Sequence, residues 1–185
     1  QLGGSHTEFA SELAGTGRYI VHLLDLDKDI IGKAQATLHK KQVYGVASAE
    51  TLPDYSHLPY TENLINLVIA GPNTADAAEI FRVLVPEGAV VVTHPGSLNK
   101  ANLESAGFEF VSEVPSLTDE NDKWIVAHKP WPESMGHWTH SRHDANGNAV
   151  SPDTEVGEPK RIRWIAGHSG TEVEGMVSDG GRNFY

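Results

Sequence analysis

Between residues 18 and 129, short apolar runs rich in β-formers alternate with amphipathic stretches of helical period. No other feature of the chain constrains its fold as tightly. Strand-like runs are predicted at 18–24, 42–47, 63–71, 87–94, 108–114 and 123–129. Helical patterns are predicted at 6–14, 27–40, 74–85 and 97–107, the last closed by Gly107. Strands separated by helices of this length require crossover connections, hence a mostly parallel, doubly wound sheet with helices on both faces. The last two runs have only a polar connection between them, which predicts an antiparallel strand at one edge. The expected fold class is α/β: a doubly wound, mostly parallel Rossmann-like sheet with an antiparallel last strand, followed by an irregular, β-containing tail.

In sheets of this kind ligands bind beyond the carboxyl ends of the strands. Two places in the sequence bear on that edge. The run HLLDLDKDIIGKAQATL (22–38) ends in Asp25 and Asp27 and turns at once into a helix. An acid at such a strand tip can accept hydrogen bonds from a pair of ribose hydroxyls. The competing reading is that both acids cap the helix that follows, and that acidic side chains there offset its positive end. The second place is LGGSH (2–6), a glycine turn before the first helix, where backbone can approach a ligand closely. Roughly 20 residues separate this turn from Asp25, the spacing of a nucleotide-binding βα unit.

Composition removes several function classes. The 185 residues carry 14 Lys plus Arg against 25 Asp plus Glu, a formal charge of −11, with no basic stripe to follow a phosphate backbone. Cysteine is absent, which excludes disulfides and thiolate metal sites. No apolar run reaches the roughly 20 residues of a membrane span. The chain opens at Gln1 beside glycines and closes at Phe184-Tyr185 inside a strand-like pattern, so it reads as a piece of a larger multidomain protein. Its compartment, cell envelope or periplasm against cytoplasm, stays open.

Three longer motifs add a resemblance. LLDLDKDIIGKAQ (23–35), DYSHLPYTENLINLVIA (54–70) and EIFRVLVPEGAVVVT (79–93) follow in the order, and with the character, of motifs in class I S-adenosylmethionine-dependent methyltransferases. The resemblance runs from Leu2 to about Lys129. It implies S-adenosyl-L-methionine as cofactor and methyl transfer to an acceptor the sequence does not name. On that resemblance Leu2, Gly3, Gly4, Ser5 and His6 form the end of the first strand and the loop beside the cofactor's methionine part. Asp25 would take the ribose hydroxyls and Leu26 would pack near the adenine. Asp54, four residues before Leu58-Pro59-Tyr60, would meet the adenine amino group. A second register through Leu52-Pro53 would put Ser48 in that role. Ala70, Gly71 and Pro72 would stand by the methyl group.

The chain departs from the family in places. Its first loop reads GGSHT, Asn66 stands where the family often has Asp, and GPNTAD (71–76) offers no evident general base. Catalytic residues are therefore left unassigned, and no carboxylate cluster calls for Mg²⁺. Positioning an acceptor in line with the sulfonium carbon can itself supply much of the acceleration. A binding-only module is the second reading. A nicotinamide oxidoreductase is the third, weakened by a loop without G-x-G-x-x-G.

Residues 1–130 are read as the methyltransferase-like domain and 131–185 as a linker with an incomplete β hairpin. RIRWIAG (161–167) and VSDGGRNFY (177–185) resemble the opening strands of a pyrroloquinoline-quinone-type β-propeller blade, as found beside methyltransferase-like modules in envelope proteins of planctomycete-like bacteria. Asp-Gly-Gly is a tight-turn sequence in its own right. His137, His140 and His143 in HWTHSRH recur every third residue, but Ser, Arg and Gly around them favour solvated loop histidines over a metal site. His6 and His94 are read as structural, and Trp124, Trp131, Trp138 and Trp164 as packing residues.

Overall fold

The structure is a computed structural model and describes residues 1–3, 7–72, 74–117, 122–140, 142–155, 177–179 and 182–184, the last two segments as backbone only. It divides into two compact units, Gln1–Pro130 and Trp131–Tyr185.

In the first unit, α1 (Thr7–Gly15) precedes β1 (Val21–Asp25), α2 (Lys28–Lys40) and β2 (Ala47–Thr51). Then come β3 (Ile65–Ala70), α3 (Ala77–Val83), β4 (Leu84–Val92), α4 (Lys100–Ser105), β5 (Glu109–Pro115) and β6 (Lys123–His128). β1 and β2 pair in parallel, as do β3 and β4. β6 runs antiparallel between β4 and β5, so the turned-back edge predicted for the last two runs is present. Leu2 closes the sheet between β1 and β3. Its N–H donates to the Ile69 carbonyl (2.8 Å), Gly71 N–H donates to its carbonyl (3.0 Å), and Gly3 N–H donates to Leu24 (2.8 Å). The resulting order is β2, β1, Leu2, β3, β4, β6, β5, and Leu2 is parallel to both neighbours.

Alternation along the strands builds a core on each face. Leu23, Val21, Ala47 and Ala49 pack with Ala10 and Ala14 of α1 and Ile31, Ala34 and Leu38 of α2. On the other face Leu2, Leu24, Val68, Ala70, Val90 and Val92 pack with Ile80 and Val83 of α3 and Leu103 of α4. Each fully buried leucine or isoleucine contributes about 1.5–3 kcal/mol through area removed from water.

Several predicted boundaries are corrected. The strand expected at 42–47 forms at Ala47–Thr51. Val43 N–H closes back on the Leu38 carbonyl (3.1 Å), and Gln42 and Gly45 take positive φ (58° and 105°), so QVYGV is the turn out of α2. The helix expected from residue 74 starts at Ala77, because Asp76 accepts from Glu79 N–H as its N-cap. The helix expected from residue 97 starts at Lys100, capped in the same way by Asn99. β4 also begins earlier than predicted and absorbs the Pro86-Glu87-Gly88 turn as an irregularity between Leu84 and Ala89.

Gly88 is fixed by that irregularity. A Cβ there would lie 2.7 Å from the Val85 carbonyl oxygen and 3.2 Å from that of Asn66, both backbone atoms that cannot swing aside. Gly88→Ala is expected to cost about 1–3 kcal/mol of stability, as overpacking does. Urea unfolding checks it, and an unchanged midpoint would show that the turn relaxes freely. Lys129 braces the same corner. Its buried ammonium donates to Asn63 Oδ1 (2.7 Å) and to the Phe81 and Leu84 carbonyls (2.8 Å each), and burial lowers its pKa.

In the second unit Trp131 stacks on His137 at 4.4 Å and donates its indole N–H to Met135 O (3.0 Å), while Gly136 N–H donates to Asp153 (3.0 Å). β7 (Val177–Asp179) pairs antiparallel with β8 (Arg182–Phe184). The strand predicted at 161–167 lies outside the described residues. No described helix is long and apolar enough to cross a membrane.

Candidate functional site

The carboxyl ends of β1 and β3 and the end of the Leu2 segment lie side by side, because the segment is hydrogen-bonded to both strands: Gln1 and Gly3 bond to Leu24 of β1, and Leu2 bonds to Ile69 and Gly71 on the β3 side. This brings together Gly3, Asp25, Ala70 and Gly71. Two glycines permit the approach. Gly3 has φ +86°, and a Cβ built on it would sit 3.7 Å from the Gly71 Cα. A Cβ on Gly71 would come within 3.1 Å of the Leu2 carbonyl oxygen. Backbone is thereby exposed to the crevice where side chains would otherwise stand.

The two acids of the first strand tip separate into distinct roles. Asp27 is the N-cap of α2, its carboxylate accepting from Asp29 N–H (2.8 Å) and Ile30 N–H (3.3 Å). Asp25 is not the cap. Half-buried at the last position of β1, it accepts from Asp27 N–H through Oδ1 at 2.9 Å, which holds the carboxylate at the strand tip. Leu26, the next residue, is 46% exposed and presents an apolar side chain at the same edge.

Tyr55 joins this edge, which the sequence reading missed. Its hydroxyl donates to the Leu24 carbonyl (3.3 Å), and its ring packs against the larger core. Burial, reinforced by the Asp25 charge, pushes its pKa up to about 12, so it stays a neutral donor at any physiological pH. The only signal in the sequence was an aromatic residue directly after Asp54. Thr93, just beyond β4, completes the edge by donating both its N–H (2.9 Å) and its Oγ–H (3.1 Å) to the Ala70 carbonyl. His94 Nδ1 lies 3.1 Å from the same Thr93 hydroxyl.

The remaining residues expected at the site fall as follows. Leu2 and Ala70 are buried within the sheet and shape the crevice through their backbone. Asp54 is exposed, and its carboxylate accepts from Ser56 N–H (2.8 Å) and from the Ser56 hydroxyl, hydrogen bonds that lower its pKa. Ser48, the alternative to Asp54, pairs with His22 as the second residue of β2, away from the carboxyl-end strand tips. Gly4, Ser5 and His6 lie outside the described residues. Among the described residues no group of three or more His, Asp or Glu stands close enough to hold a metal ion.

The 54–60 connection is clamped to α3. Glu79 accepts from Leu58 N–H (2.6 Å) and from Arg82 Nε (2.8 Å) and Nη2 (2.7 Å), while Arg82 Nη1 donates to the Tyr60 carbonyl (2.9 Å). The hydrogen bonds from Arg82 hold the Glu79 carboxyl below its ordinary range, against the opposing effect of its burial.

Neither the known sequence families nor the curated proteins contain a match to this chain. Solved structures do match. A candidate sarcosine dimethylglycine methyltransferase from Galdieria sulphuraria superimposes with a TM-score of 0.56 at 12% identity, covering 70% of this chain and 77% of that one. An S-adenosylmethionine-dependent methyltransferase from Aquifex aeolicus gives 0.52 at 14%, covering 69% and 79%. The [4+2]-cyclase SpnF gives 0.55 at 14%, covering 71% and 73%. At such identities the likeness establishes the fold, and this chain therefore carries the Rossmann-like α/β fold of these methyltransferase structures.

Proposed function

We propose that the first unit binds S-adenosyl-L-methionine and transfers its methyl group to a small acceptor, as one module of a larger protein. The observation that carries this reading is the hydrogen bonding of the Gln1–Gly3 segment to Leu24 on one side and to Ile69 and Gly71 on the other, which sets Gly3, Asp25 and Gly71 around one crevice. Asp25 would accept the ribose hydroxyls, and the Gly3 and Gly71 backbone would lie along the methionine part. Leu26 would cover the adenine, with Asp54 at its amino group. When bound, the cofactor supplies an electrophilic methyl group on a sulfonium. The chain's part is to orient that group and exclude water, and Tyr55 and Thr93 hold the strand tips for it. The methyltransferase structures that share the fold support the same reading.

The cyclase on this fold favours a second reading, in which the crevice binds the cofactor or a related ligand without methyl transfer. S-Adenosylhomocysteine at a hundred times its dissociation constant is expected to stabilise the unit by about 2.7 kcal/mol, seen as a rise in unfolding temperature. Methionine alone is expected to do far less. Equal or absent shifts would remove the cofactor from the account. If a shift is seen, incubation with labelled cofactor and extracts of candidate acceptors separates methyl transfer from binding alone.

For the second unit, the β7–β8 hairpin supports its reading as a linker and the first strands of a propeller-type blade. Amide-exchange measurements on residues 161–167 check it: strand pairing is expected, and a helix there would overturn it.

A further inference from the structure

One strand further along the tips, β4 runs out into Thr93-His94. The pairs Ala70↔Val92 and Val92↔Ile125 set this end beside Gly71 on one side and beside the start of β6 on the other. Along the line of tips the order is therefore Asp25, Gly3, Gly71, Thr93-His94. With a ribose at Asp25 and a methionine part at the glycines, the β4 tip is left to the acceptor.

Thr93 fixes the state of the imidazole beside it. Its hydroxyl donates to the Ala70 carbonyl (3.1 Å), which can only accept, so its oxygen is left to receive a hydrogen bond from His94 Nδ1 (3.1 Å). With the proton on Nδ1, neutral His94 carries its basic lone pair on Nε2. The side chain is exposed at the end of the strand. Lys123, set opposite His94 when the β4–β6 register is extended, and its partner Glu113 (3.0 Å) are the charged side chains at this end of the adjoining strands.

An apolar slot of about 320 Å³ lies against the same end of the sheet. Ala70, Val90, Val92 and Ile125 face the core under α3 and α4, so the alternate residues Ile69, Val91 and Trp124 turn to the opposite face and line the slot. Phe9 of α1, Val114 of β5 and Leu117 complete it, and every described residue of its wall is apolar. Trp124 precedes Ile125, the partner of Val92, so it stands level with Thr93. An apolar slot with a polar group at its mouth has the character of a small-ligand site.

We propose that the slot and His94 together form the acceptor site, that the acceptor is a phenol, and that His94 is its general base. This rests on the proposed function. The aromatic ring fills the slot and the hydroxyl stands at the β4 tip. The phenolic oxygen takes the methyl carbon as the carbon–sulfur bond breaks, its electron pair staying on sulfur, and the phenolic proton passes to His94 Nε2 and on to solvent. A phenol suits both halves of the site. Its ring matches walls without charge, and its oxygen still holds a proton at neutral pH, so a base has work to do. A carboxylate acceptor would need no base and would bring a charge to an apolar wall.

2-Naphthol is the probe, used with the 185-residue chain. By calorimetry without cofactor it is expected to bind once per chain. Leu117→Asp, which adds a charge at a wall position that is 77% exposed, is expected to weaken that binding at least tenfold with the unfolding midpoint unchanged. In the presence of S-adenosyl-L-methionine, transfer to 2-naphthol at pH 7 is expected to be about 100-fold slower in His94→Ala, with S-adenosylhomocysteine binding unchanged. The pH profile of that variant is expected to follow ionisation of the naphthol instead of an imidazole. No naphthol binding, or equal binding by Leu117→Asp, would overturn the slot. Naphthol binding without transfer, in a chain that binds S-adenosylhomocysteine, would overturn the acceptor assignment. The parent's pH profile and rate in His94→Ala would overturn the base. Naphthol binding is measured without cofactor, so failure of the slot and failure of cofactor binding are separate results.

Discussion

Glu79→Ala is expected to destabilise the first unit by about 3–5 kcal/mol, the range for removing one partner of a buried charge pair. The Glu79 side chain is only 9% exposed and takes three hydrogen bonds, one from backbone and two from Arg82. Its loss would leave the Leu58 N–H buried without an acceptor and the Arg82 guanidinium, 28% exposed, without its counter-charge. Native domains are stable by only about 5–15 kcal/mol, so the effect is a large share of the total. Because Leu58 is a core residue, the 54–60 connection would loosen with it. Denaturant unfolding reads the loss directly, and a change below about 1 kcal/mol would mean that the clamp is compensated elsewhere.

Titration of the same residue predicts an acid limb. Its folded pKa lies below the ordinary value of 4.5. The contribution is therefore complete above pH 4.5 and drains away as pH falls through the lowered folded value. Arg82 and, at 3.8 Å, His57 are the charged or chargeable side chains that face it. Glu79→Gln is expected to be less stable at neutral pH and to lose that limb.

Asp25→Ala is expected to weaken S-adenosylhomocysteine binding by about 100-fold or more. A hydrogen bond to a charged group is worth about 1.5–3 kcal/mol, each 1.4 kcal/mol is tenfold, and two ribose hydroxyls are at stake. Alanine also removes the bond from Asp27 N–H to Asp25 Oδ1. Asp25→Asn separates the two effects, since its amide oxygen can still accept from Asp27 but the group no longer carries a charge for the ribose. It is expected to keep its unfolding midpoint while binding at least tenfold more weakly. If both variants bind as the parent does, Asp25 belongs to the turn and not to the ligand.

What the sequence disclosed and what it hid have physical reasons. The α2 boundary was legible because Asp27 is a strong N-cap before a regular apolar stripe. The alternation of strands and helices was legible because each element buries its own period. β2 was misplaced because its buried residues, Ala47 and Ala49, are small, whereas Tyr44 and Val46 in the preceding turn look strand-like yet are 43% and 45% exposed. Spacing pointed to Gly3 and Asp25 and the resemblance to Gly71, and these three lie side by side at the strand tips. Asp27, directly ahead of the apolar stripe, was the plausible N-cap, and its carboxylate does accept from Asp29 and Ile30 N–H. Tyr55 was missed because its contact with Leu24 spans 31 positions and follows only from the sheet order. The Glu79–Leu58 clamp, 21 positions apart, was hidden for the same reason.

Titration calorimetry of S-adenosylhomocysteine into the folded chain tests the central claim, that the strand tips at Gly3, Asp25 and Gly71 form a nucleoside-binding crevice. The expected result is saturable binding of one ligand per chain, at least tenfold weaker in Asp25→Asn. Absence of heat at millimolar ligand, with folding verified on the same sample, would contradict it.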